Sequence, residues 1–280
     1  MAAQIITIAI EKGGAGKTVT ASNLAYLMGD EGKKVLCIDT DPQGNLTSAL
    51  SGGNGITSGV YNGRALFDMF DGFRYTKTKD YITETEYENV DMIPCSAQTP
   101  RINQRIPGIF EDAQTYFKPG DPKCLTNMGE FLYYFLNQVR EDYDYIIIDC
   151  MPSLGMMTIN ALACADSVLI PVQAAYLPVK GLQQLIKTIG RVKKQLNPKL
   201  KIEGILLTMV DNRTNYARDI SLMVYDTYSA SIKVFGTEIP MSVRASEVSV
   251  EGGSIYSYDP KGKAAFAYMA LTKEVLKEAE

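Results

Sequence analysis

The sequence predicts an α/β fold with a doubly wound, mostly parallel sheet and helices on both faces. Short runs of apolar and β-branched residues recur along the chain, and their apolarity is continuous rather than alternating, as in strands that are buried on both faces. Segments with apolar residues at three-to-four spacing separate these runs, as crossover helices do. With 280 residues, 46% of them hydrophobic, the chain is long enough for a single domain over residues 1–280 with one large core.

Strands and helices alternate in the order that such a fold requires. The predicted strands are Ile5–Ile10, Val35–Ile38, Val90–Ile93, Tyr145–Ile148, Ser167–Pro171, Ile202–Met209 and Ile232–Ile239. The predicted helices are Thr18–Met28, Asn127–Arg140, Met156–Ala163, Val179–Leu196, Asn215–Tyr228 and Lys263–Ala279. Two stretches, 51–87 and 102–123, show no clear period, and we expect them to be surface insertions.

Composition excludes several classes of protein. Histidine is absent, which removes the usual general base and the commonest metal ligand, so any catalysis must use carboxylates, lysines or a bound cation. The five cysteines form no CxxC pair, which is typical of a reducing compartment. No apolar run approaches the roughly 18 residues of a membrane span, and no signal-type segment opens the chain, so we expect a cytoplasmic protein.

A glycine-rich loop between the first strand and the first helix carries the clearest chemical signal. It reads EKGGAGKTV over residues 11–19. Its glycines allow backbone N–H groups to surround phosphates, Lys17 can neutralise the β- and γ-phosphates, and the Thr18 hydroxyl can ligate Mg²⁺. Glu11 stands where an ordinary Walker A loop has glycine, and Lys12 is an additional lysine. The loop therefore indicates a nucleotide-phosphate site of a deviant Walker type.

Three acidic residues follow later strands. Asp39 and Asp41 follow the second predicted strand, and Asp149 follows the strand YIII at 145–148. The carboxyl ends of parallel strands open into the crevice where an α/β sheet binds its ligand, so we expect these side chains beside the glycine-rich loop. Because the chain lacks histidine, Asp41 is the favoured group for orienting a hydrolytic water near the γ-phosphate.

With these motifs the sequence resembles the ParA/Soj family of partition ATPases, deviant Walker A proteins of the MinD/ParA superfamily. The matching stretches are KGGAGKT (12–18), IDTDPQGN (38–45), YDYIIIDCMPSLGMMTINAL (143–162), LIPVQAAYLPVKGL (169–182), IEGILLTMVDNRT (202–214), IPMSVRASE (239–247) and YDPKGKAAFAY (258–268). The resemblance implies slow ATP hydrolysis with Mg²⁺, a homodimer that forms on ATP binding, non-specific DNA binding on the nucleoid, and a ParB-like adaptor that stimulates hydrolysis.

The resemblance also implies roles for individual residues. Lys12 would reach the nucleotide of the partner subunit and act in catalysis with Lys17 and Asp41. Asp39 and Asp149 would join Thr18 around Mg²⁺, through water. The implied nucleotide-binding set is Lys12, Gly13, Gly14, Ala15, Gly16, Lys17, Thr18, Val19, Met209, Asp211 and Pro240, of which the last three would form the adenine pocket.

A basic segment predicts a DNA-binding surface on an otherwise acidic chain. Residues 178–263 contain 13 Lys and Arg against 8 Asp and Glu, whereas the whole chain carries a net charge of −4. Six cations with no acid among them lie within 187–201, and such a cluster can neutralise DNA phosphates. A solvated helix face has the same composition, so the DNA assignment depends on the resemblance. The candidate DNA contacts are Lys187, Arg191, Lys193, Lys194, Lys199, Lys201, Arg218, Lys233 and Arg244.

Two alternatives share the same loop motif. A MinD-like ATPase that cycles on membranes would have a basic, membrane-binding C-terminal helix, and the acidic end of this chain disfavours it. A redox ATPase like the nitrogenase iron protein would bind a cluster through cysteines, for which Cys95 and Cys150 are the candidates, but the glycine-rich cysteine loops of that family are missing. The cargo stays open between a plasmid, a chromosome, a conjugative element and a protein cluster.

Overall fold

The computed structural model describes residues 2–51, 63–174, 178–211, 213–251 and 253–279. These residues form a seven-stranded sheet at the centre of the molecule. Its strands are β1 (Gln4–Ile8), β2 (Val35–Asp39), β3 (Thr83–Glu84), β4 (Val90–Ile93), β5 (Tyr145–Asp149), β6 (Ser167–Gln173) and β7 (Lys201–Thr208). They lie in the order β3-β4-β2-β5-β1-β6-β7, and all neighbours are parallel except β3 and β4. The predicted fold class is confirmed.

Helices cover both faces of this sheet and bury two apolar clusters. The helices are α1 (Lys17–Asp30), α2 (Asn45–Leu50), α3 (Leu66–Asp71), α4 (Ile102–Tyr116), α5 (Phe131–Asn137), α6 (Met156–Cys164), α7 (Pro178–Gln195), α8 (Asn215–Tyr228), α9 (Val243–Glu251), α10 (Ile255–Tyr258) and α11 (Lys263–Ala279). One face packs against α3 to α8, and the other packs against α1, α2 and α9 to α11. None of the described helices is long and apolar enough to cross a membrane.

Strand β5 shows why the apolar runs are continuous. Ile146 and Ile148 belong to the cluster on one face of the sheet, whereas Ile147 belongs to the cluster on the other. All three side chains are fully buried. Because successive side chains of a strand point to opposite faces, a central strand with helices on both sides needs an apolar residue at every position.

The prediction of a strand over Ile232–Ile239 is wrong. The segment contacts β7 through an isolated bridge at Val234 and through one hydrogen bond from the N–H of Ile239 to the carbonyl of Leu207, and a second bridge joins Pro240 to Val210. Between these points the backbone N–H groups of Gly236 and Thr237 donate to the carboxylate of Glu274 on α11. These donors are therefore lost to the sheet, and a regular ladder does not form.

The two stretches expected to be surface insertions contribute to the core. Ile102, Ile106 and Ile109 are buried along one side of α4, although Pro107 lies inside this helix and obscures its period in the sequence. In the other stretch, Phe70 of α3 packs edge-on against Phe135 of α5. Residues 52–62 of that stretch lie outside the described part of the chain.

Candidate functional site

The glycine-rich loop follows β1, which lies between β5 and β6 near the middle of the sheet. Gly14 and Gly16 adopt left-handed backbone conformations with φ of 70° and 82°, which favour glycine. A Cβ atom built at Gly13 or Gly14 would meet no atom within 4 Å, so the loop faces open space. Thr208 at the end of β7 fixes the loop from the side, because its hydroxyl donates to the carbonyl of Ala15 at 3.0 Å.

Lys17 and Thr18 begin α1 directly below this loop. The Lys17 ammonium group donates to the carbonyl of Lys12 at 3.2 Å, and only 6% of the residue is exposed. Burial lowers the pKa of Lys17, while the nearby charges of Asp149 and Asp41 oppose this shift. The Thr18 hydroxyl donates to Oδ2 of Asp149 at 2.6 Å. The first turn of α1 thus presents a cation and a hydroxyl group next to a carboxylate.

Asp149 has a free carboxylate oxygen in a buried place. Its Oδ1 atom has no hydrogen-bond partner among the described residues, although the side chain is fully buried. Burial, followed by the charge of Asp39, raises the pKa of Asp149 to about 8. An unpartnered buried oxygen is costly unless a ligand satisfies it. Asp149 and the Thr18 hydroxyl therefore suit a hydrated Mg²⁺ ion, which prefers oxygen ligands and retains water.

Asp39 is bonded quite differently. Its Oδ2 atom accepts hydrogen bonds from the backbone N–H and the hydroxyl of Thr47, at 2.8 and 2.7 Å, and Oδ1 accepts from the N–H of Asp41 at 3.0 Å. Burial raises its pKa to about 6, and these hydrogen bonds oppose the shift. Asp39 thus fixes the loop after β2, and its predicted contact with Mg²⁺-bound water stays a prediction.

Asp41 and the first turn of α1 line a cavity of about 590 Å³. This volume lies in the range of cofactor sites. The lining consists of Gly13, Gly14, Ala15, Gly16, Lys17, Thr18, Val19, Asp41, Asn45, Pro152, Thr208, Met209, Ile239, Pro240, Met241, Ser242, Val243, Ala245 and Tyr268. Polar groups thus occupy the end of the cavity at the glycine-rich loop, and an apolar wall from the last third of the chain completes it.

The apolar wall agrees only in part with the predicted adenine pocket. Met209 and Pro240 line the cavity, and Met209 has a φ of 53°, which is rare for a residue with a side chain and is often found at functional sites. Asp211 does not line it. The guanidinium group of Arg213 binds the Asp211 carboxylate at 2.8 and 2.9 Å, and these hydrogen bonds lower its pKa to about 2.

Several residues of the wall were not predicted. Met241 and Val243 are 56% and 74% exposed at its rim, and Tyr268 is buried at its base with its hydroxyl 3.4 Å from that of Thr20. All three lie in stretches quoted above for the family resemblance, IPMSVRASE (239–247) and YDPKGKAAFAY (258–268), and that resemblance is the signal that could have identified them.

Lys12 is separated from Lys17 in the structure. Its side chain is exposed, and its ammonium group donates to Oε1 of Gln173 at 3.0 Å, at the end of β6. It does not line the cavity. The two lysines of the loop therefore face different surroundings, and only Lys17 lies where it can bind phosphates of its own subunit.

Comparison with known proteins agrees with this geometry. A family model described as an AAA domain matches residues 3–202. The chain is 40% identical over 274 residues to the sporulation initiation inhibitor protein Soj of Bacillus subtilis, an alignment that covers 97% of this chain and 98% of that protein. The chain belongs to the ParA/Soj family of partition ATPases. It is also 38% identical over 275 residues to the chromosome partitioning protein ParA of Myxococcus xanthus, covering 98% and 88% of the two chains.

A solved structure of a more distant protein has the same fold. Cobyrinic acid a,c-diamide synthase from Mycobacterium smegmatis, crystallised with an ATP analogue and magnesium, superposes with a TM-score of 0.76 at 26% identity, and the match covers 98% of this chain and 95% of that chain. Its fold is that of a P-loop ATPase, which confirms the predicted architecture. As a member of the ParA/Soj family, the chain described here is an ATPase.

The cations predicted to bind DNA in this ParA/Soj protein fall into separate groups. Six of them are exposed and form no ion pair within the described parts of the chain. These six, here called the α7 cations, are Lys187, Arg191, Lys193, Lys194, Lys199 and Lys201. They lie in the second half of α7, in the turn that follows it and at the start of β7. Helix α7 runs from the carboxyl end of β6 to the amino end of β7. The α7 cations therefore lie towards the amino ends of the strands, whereas the glycine-rich loop lies at the carboxyl ends.

The other three predicted DNA contacts are less suited to that role. Arg244 forms an ion pair with Asp259 at 2.7 Å. Lys233 is half-buried, with its ammonium group 4.2 Å from the ring centre of Phe235. Arg218 is exposed near the start of α8, at the cavity end of the molecule. For these reasons the three residues are not grouped with the α7 cations.

Cys95 and Cys150, the candidates for an iron–sulfur cluster, are both fully buried. Burial raises the pKa of each thiol. Cluster ligation needs thiolates, and a cluster shared between two subunits needs them at a surface. The positions of these cysteines therefore disfavour the redox alternative.

Proposed function

We propose that this partition ATPase works as an ATP-switched homodimer that binds DNA without sequence preference and releases it on hydrolysis. The observation that carries the proposal is the separation of the two lysines in the glycine-rich loop. Lys17 is buried beneath its own loop, whereas Lys12 is exposed and lies outside its own cavity. A cation that does not serve the phosphates of its own subunit is available to those of a second subunit.

The cavity suits ATP with Mg²⁺. The phosphates would lie against the backbone of the loop and Lys17, and the base would lie against the apolar wall that includes Met209, Pro240 and Tyr268. Thr18 would ligate Mg²⁺ directly and Asp149 through water, and the ion would neutralise charge on the β- and γ-phosphates. Asp41 would orient the attacking water. Without histidine this carboxylate is a weak base, which fits slow hydrolysis that a DNA-binding adaptor accelerates.

DNA binding would come from the α7 cations. A monomer can neutralise few phosphates with them, so its affinity would be low. A dimer places two such surfaces on one duplex, and the second contact gains from a high effective concentration. Nucleotide can control DNA affinity only through a difference between the monomeric and dimeric states, so hydrolysis, which removes the phosphate that Lys12 would contact, would release the DNA.

Titration of a mixed-sequence DNA duplex tests the proposal. We expect tight binding with ATP, weak binding with ADP or without nucleotide, and a steep loss of affinity with salt. A variant with Arg191, Lys193 and Lys194 changed to Ala should bind at least about tenfold more weakly. A variant with the exposed residues Lys77, Lys79 and Lys118 changed to Ala has the same charge and is the control. Equal affinity with ADP and ATP would refute the switch, and an unaffected first variant would refute the location of the surface.

The dimer is tested separately with Lys12→Ala. This variant should bind ATP normally but sediment as a monomer with ATP, because its phosphate partner lies in the other subunit. Glu11→Ala changes the exposed neighbour and should still dimerise. ATP-driven dimerisation of Lys12→Ala to the native extent would contradict the role assigned to Lys12.

The buried side of α11 disfavours the membrane-cycling alternative. Tyr268, Leu271 and Val275 of α11 are buried in the cluster that also contains residues of α1. An amphipathic helix that binds a membrane must expose such a face to lipid. Sedimentation with anionic liposomes in the presence of ATP tests this directly, and co-sedimentation would favour the alternative.

A further inference from the structure

Thr47 in α2 forms hydrogen bonds with Asp39 and with Cys95 in the protein interior. The residue is fully buried. Its backbone N–H and its hydroxyl both donate to Oδ2 of Asp39, at 2.8 and 2.7 Å. The same hydroxyl oxygen accepts a hydrogen bond from the backbone N–H of Cys95 at 3.0 Å. Its single hydroxyl group therefore links the carboxylate at the end of β2 to the backbone just beyond β4.

The hydrogen bonds continue from Asp39 to Asp41. The second oxygen of Asp39 accepts from the N–H of Asp41 at 3.0 Å. Asp41 is further fixed within its own turn, because its carboxylate accepts from the N–H of Gln43 and its carbonyl accepts from the N–H of Gly44, each at 3.0 Å. The backbone that carries the Asp41 carboxylate is thus held through Asp39 by Thr47.

We propose that Thr47 is a positioning residue for ATP hydrolysis, which sets the place of the Asp41 carboxylate through Asp39. This inference rests on the water-orienting role proposed above for Asp41. Thr47 does not line the cavity, so it can act on the nucleotide only through other residues. Its effect falls on hydrolysis rather than on binding, because the phosphates would lie against Lys17 and the glycine-rich loop, whereas the hydroxyl of Thr47 contacts Asp39 and Cys95.

The geometry explains why one hydroxyl group matters here. Hydrogen bonds to an ionised carboxylate are among the strongest in proteins, and a buried carboxylate that loses a donor shifts toward other donors. Cys95 lies two residues beyond the end of β4, which pairs with β2 in the sheet, so Thr47 ties the loop to a fixed part of the fold. A displacement of about 1 Å at a reacting group can reduce a rate by about 100-fold.

Replacement of the hydroxyl tests the inference. In Thr47→Val, which keeps the shape and loses the donor, we expect the single-turnover hydrolysis rate to fall by about 10- to 100-fold. The Kd for a fluorescent ATP analogue with Mg²⁺ should change by less than about threefold, since the residues that line the cavity are unchanged. Thr47→Ser retains the hydroxyl and should restore the rate to within about threefold of native.

A matched control uses another buried threonine. Thr78 is fully buried, and its hydroxyl donates to the carbonyl of Phe135 at 2.8 Å, away from the cavity. Thr78→Val loses one buried hydrogen bond and should leave hydrolysis unchanged. Amide hydrogen exchange gives a readout other than activity: exchange at Asp41, Gln43 and Gly44 should accelerate in Thr47→Val and remain native in Thr78→Val.

The outcomes separate this inference from the proposed role of Asp41. If Asp41→Ala hydrolyses ATP at the native rate, the role of Asp41 is wrong, whatever Thr47 does. If Asp41→Ala is inactive while a folded Thr47→Val protein is as active as native, only the role of Thr47 is wrong. Failure of Thr47→Ser to restore the rate, or loss of nucleotide affinity in proportion to the rate, would also overturn it.

Discussion

Asp39 and Asp149 end neighbouring strands and lie opposite each other in the register of β2 and β5. Both are buried and both follow a run of apolar residues, so their sequence patterns are alike. Asp39 accepts three hydrogen bonds, whereas Asp149 accepts one and leaves Oδ1 without a described partner. The segment after a strand therefore decides whether its terminal acid fixes a loop or faces a ligand.

The two segments differ in the donors that they supply. After β2 the chain turns back within a few residues into α2, and the N–H groups of Asp41 and Thr47 reach Asp39. After β5 the chain passes through Pro152, which has no N–H group, and α6 begins only at Met156. Asp149 thus ends its strand where few donors are available, and its charge is left for a cation.

The largest effect is expected for Lys17, the cation that opposes the raised pKa of Asp149. Lys17→Ala should weaken ATP binding by at least about 100-fold, because it removes the charge that faces the phosphates beside buried acids. Titration of a fluorescent ATP analogue measures this, with Lys12→Ala as the control that retains binding. Native affinity in Lys17→Ala would show that the phosphates bind elsewhere.

The two acids should differ in their effect on Mg²⁺. Asp149→Asn should raise the Mg²⁺ concentration needed for half-maximal nucleotide binding by about 10- to 100-fold, since an outer-shell carboxylate is lost. Asp39→Asn should raise it by less than about threefold if its oxygens serve the loop rather than the ion. Equal shifts in the two variants would show that Asp39 and Asp149 contribute equally to Mg²⁺ binding.

Asp39 should contribute more than Asp149 to the stability of the fold. Both substitutions remove a buried charge, but in Asp39→Asn the new amide group also faces a donor, so we expect this variant to be about 2 to 3 kcal/mol less stable to unfolding than Asp149→Asn. Urea unfolding of the nucleotide-free protein measures it, beside Asp149→Asn. A larger loss in Asp149→Asn than in Asp39→Asn would reverse the assignment.

The pH dependence of stability follows from the same two groups. Their pKa values in the folded protein, about 6 for Asp39 and about 8 for Asp149, lie above the value near 4 of an unfolded aspartate. The folded state therefore retains protons that the unfolded chain releases, and the stability of the nucleotide-free protein falls as the pH rises from about 4 to about 8.

Between pH 6 and pH 8 the free energy of unfolding of the nucleotide-free protein should fall by an amount on the order of 2 kcal/mol, mostly because of Asp149. This fall should be much smaller in Asp149→Asn and unchanged in Asp30→Asn, a substitution at the exposed end of α1. Urea unfolding at both pH values makes the comparison, and an identical loss in native protein and Asp149→Asn would show that other groups cause it.

The smallest effect concerns the helix that follows Asp149. Oδ1 of Asn103 on α4 accepts the N–H of Met157 at 3.0 Å and so satisfies a donor in the first turn of α6. Asn103→Ala should lower the free energy of unfolding by about 1 kcal/mol, the usual value of such a cap. Gln104→Ala, at an exposed position of the same helix, is the control and should have little effect. Equal stability of the two variants would contradict the capping role.

The sequence predicted those parts of the molecule that depend on local pattern. The continuous apolarity of segments such as Tyr145–Ile148 identified the buried strands, and the spacing of glycines and lysines identified the phosphate end of the cavity. The apolar wall could not be predicted in this way, because Val243 and Tyr268 reach the cavity only through the path of the chain after β7. Similarly, the missing strand at 232–239 depends on Glu274, which lies far along the chain and takes the backbone donors.

Helix α7 joins the two ends of the molecule, and its length limits how they can communicate. Its 18 residues span roughly 27 Å. It runs from the carboxyl ends of the strands, where the cavity lies, towards their amino ends, where Lys193 and Lys194 lie. At physiological ionic strength, exposed charges are screened over about 8 Å, so these cations cannot sense the charge of a γ-phosphate at the cavity. If nucleotide controls the DNA affinity of these cations, it must do so through the position of the second subunit in the dimer. Apparent DNA affinity at saturating ATP should therefore still rise with protein concentration.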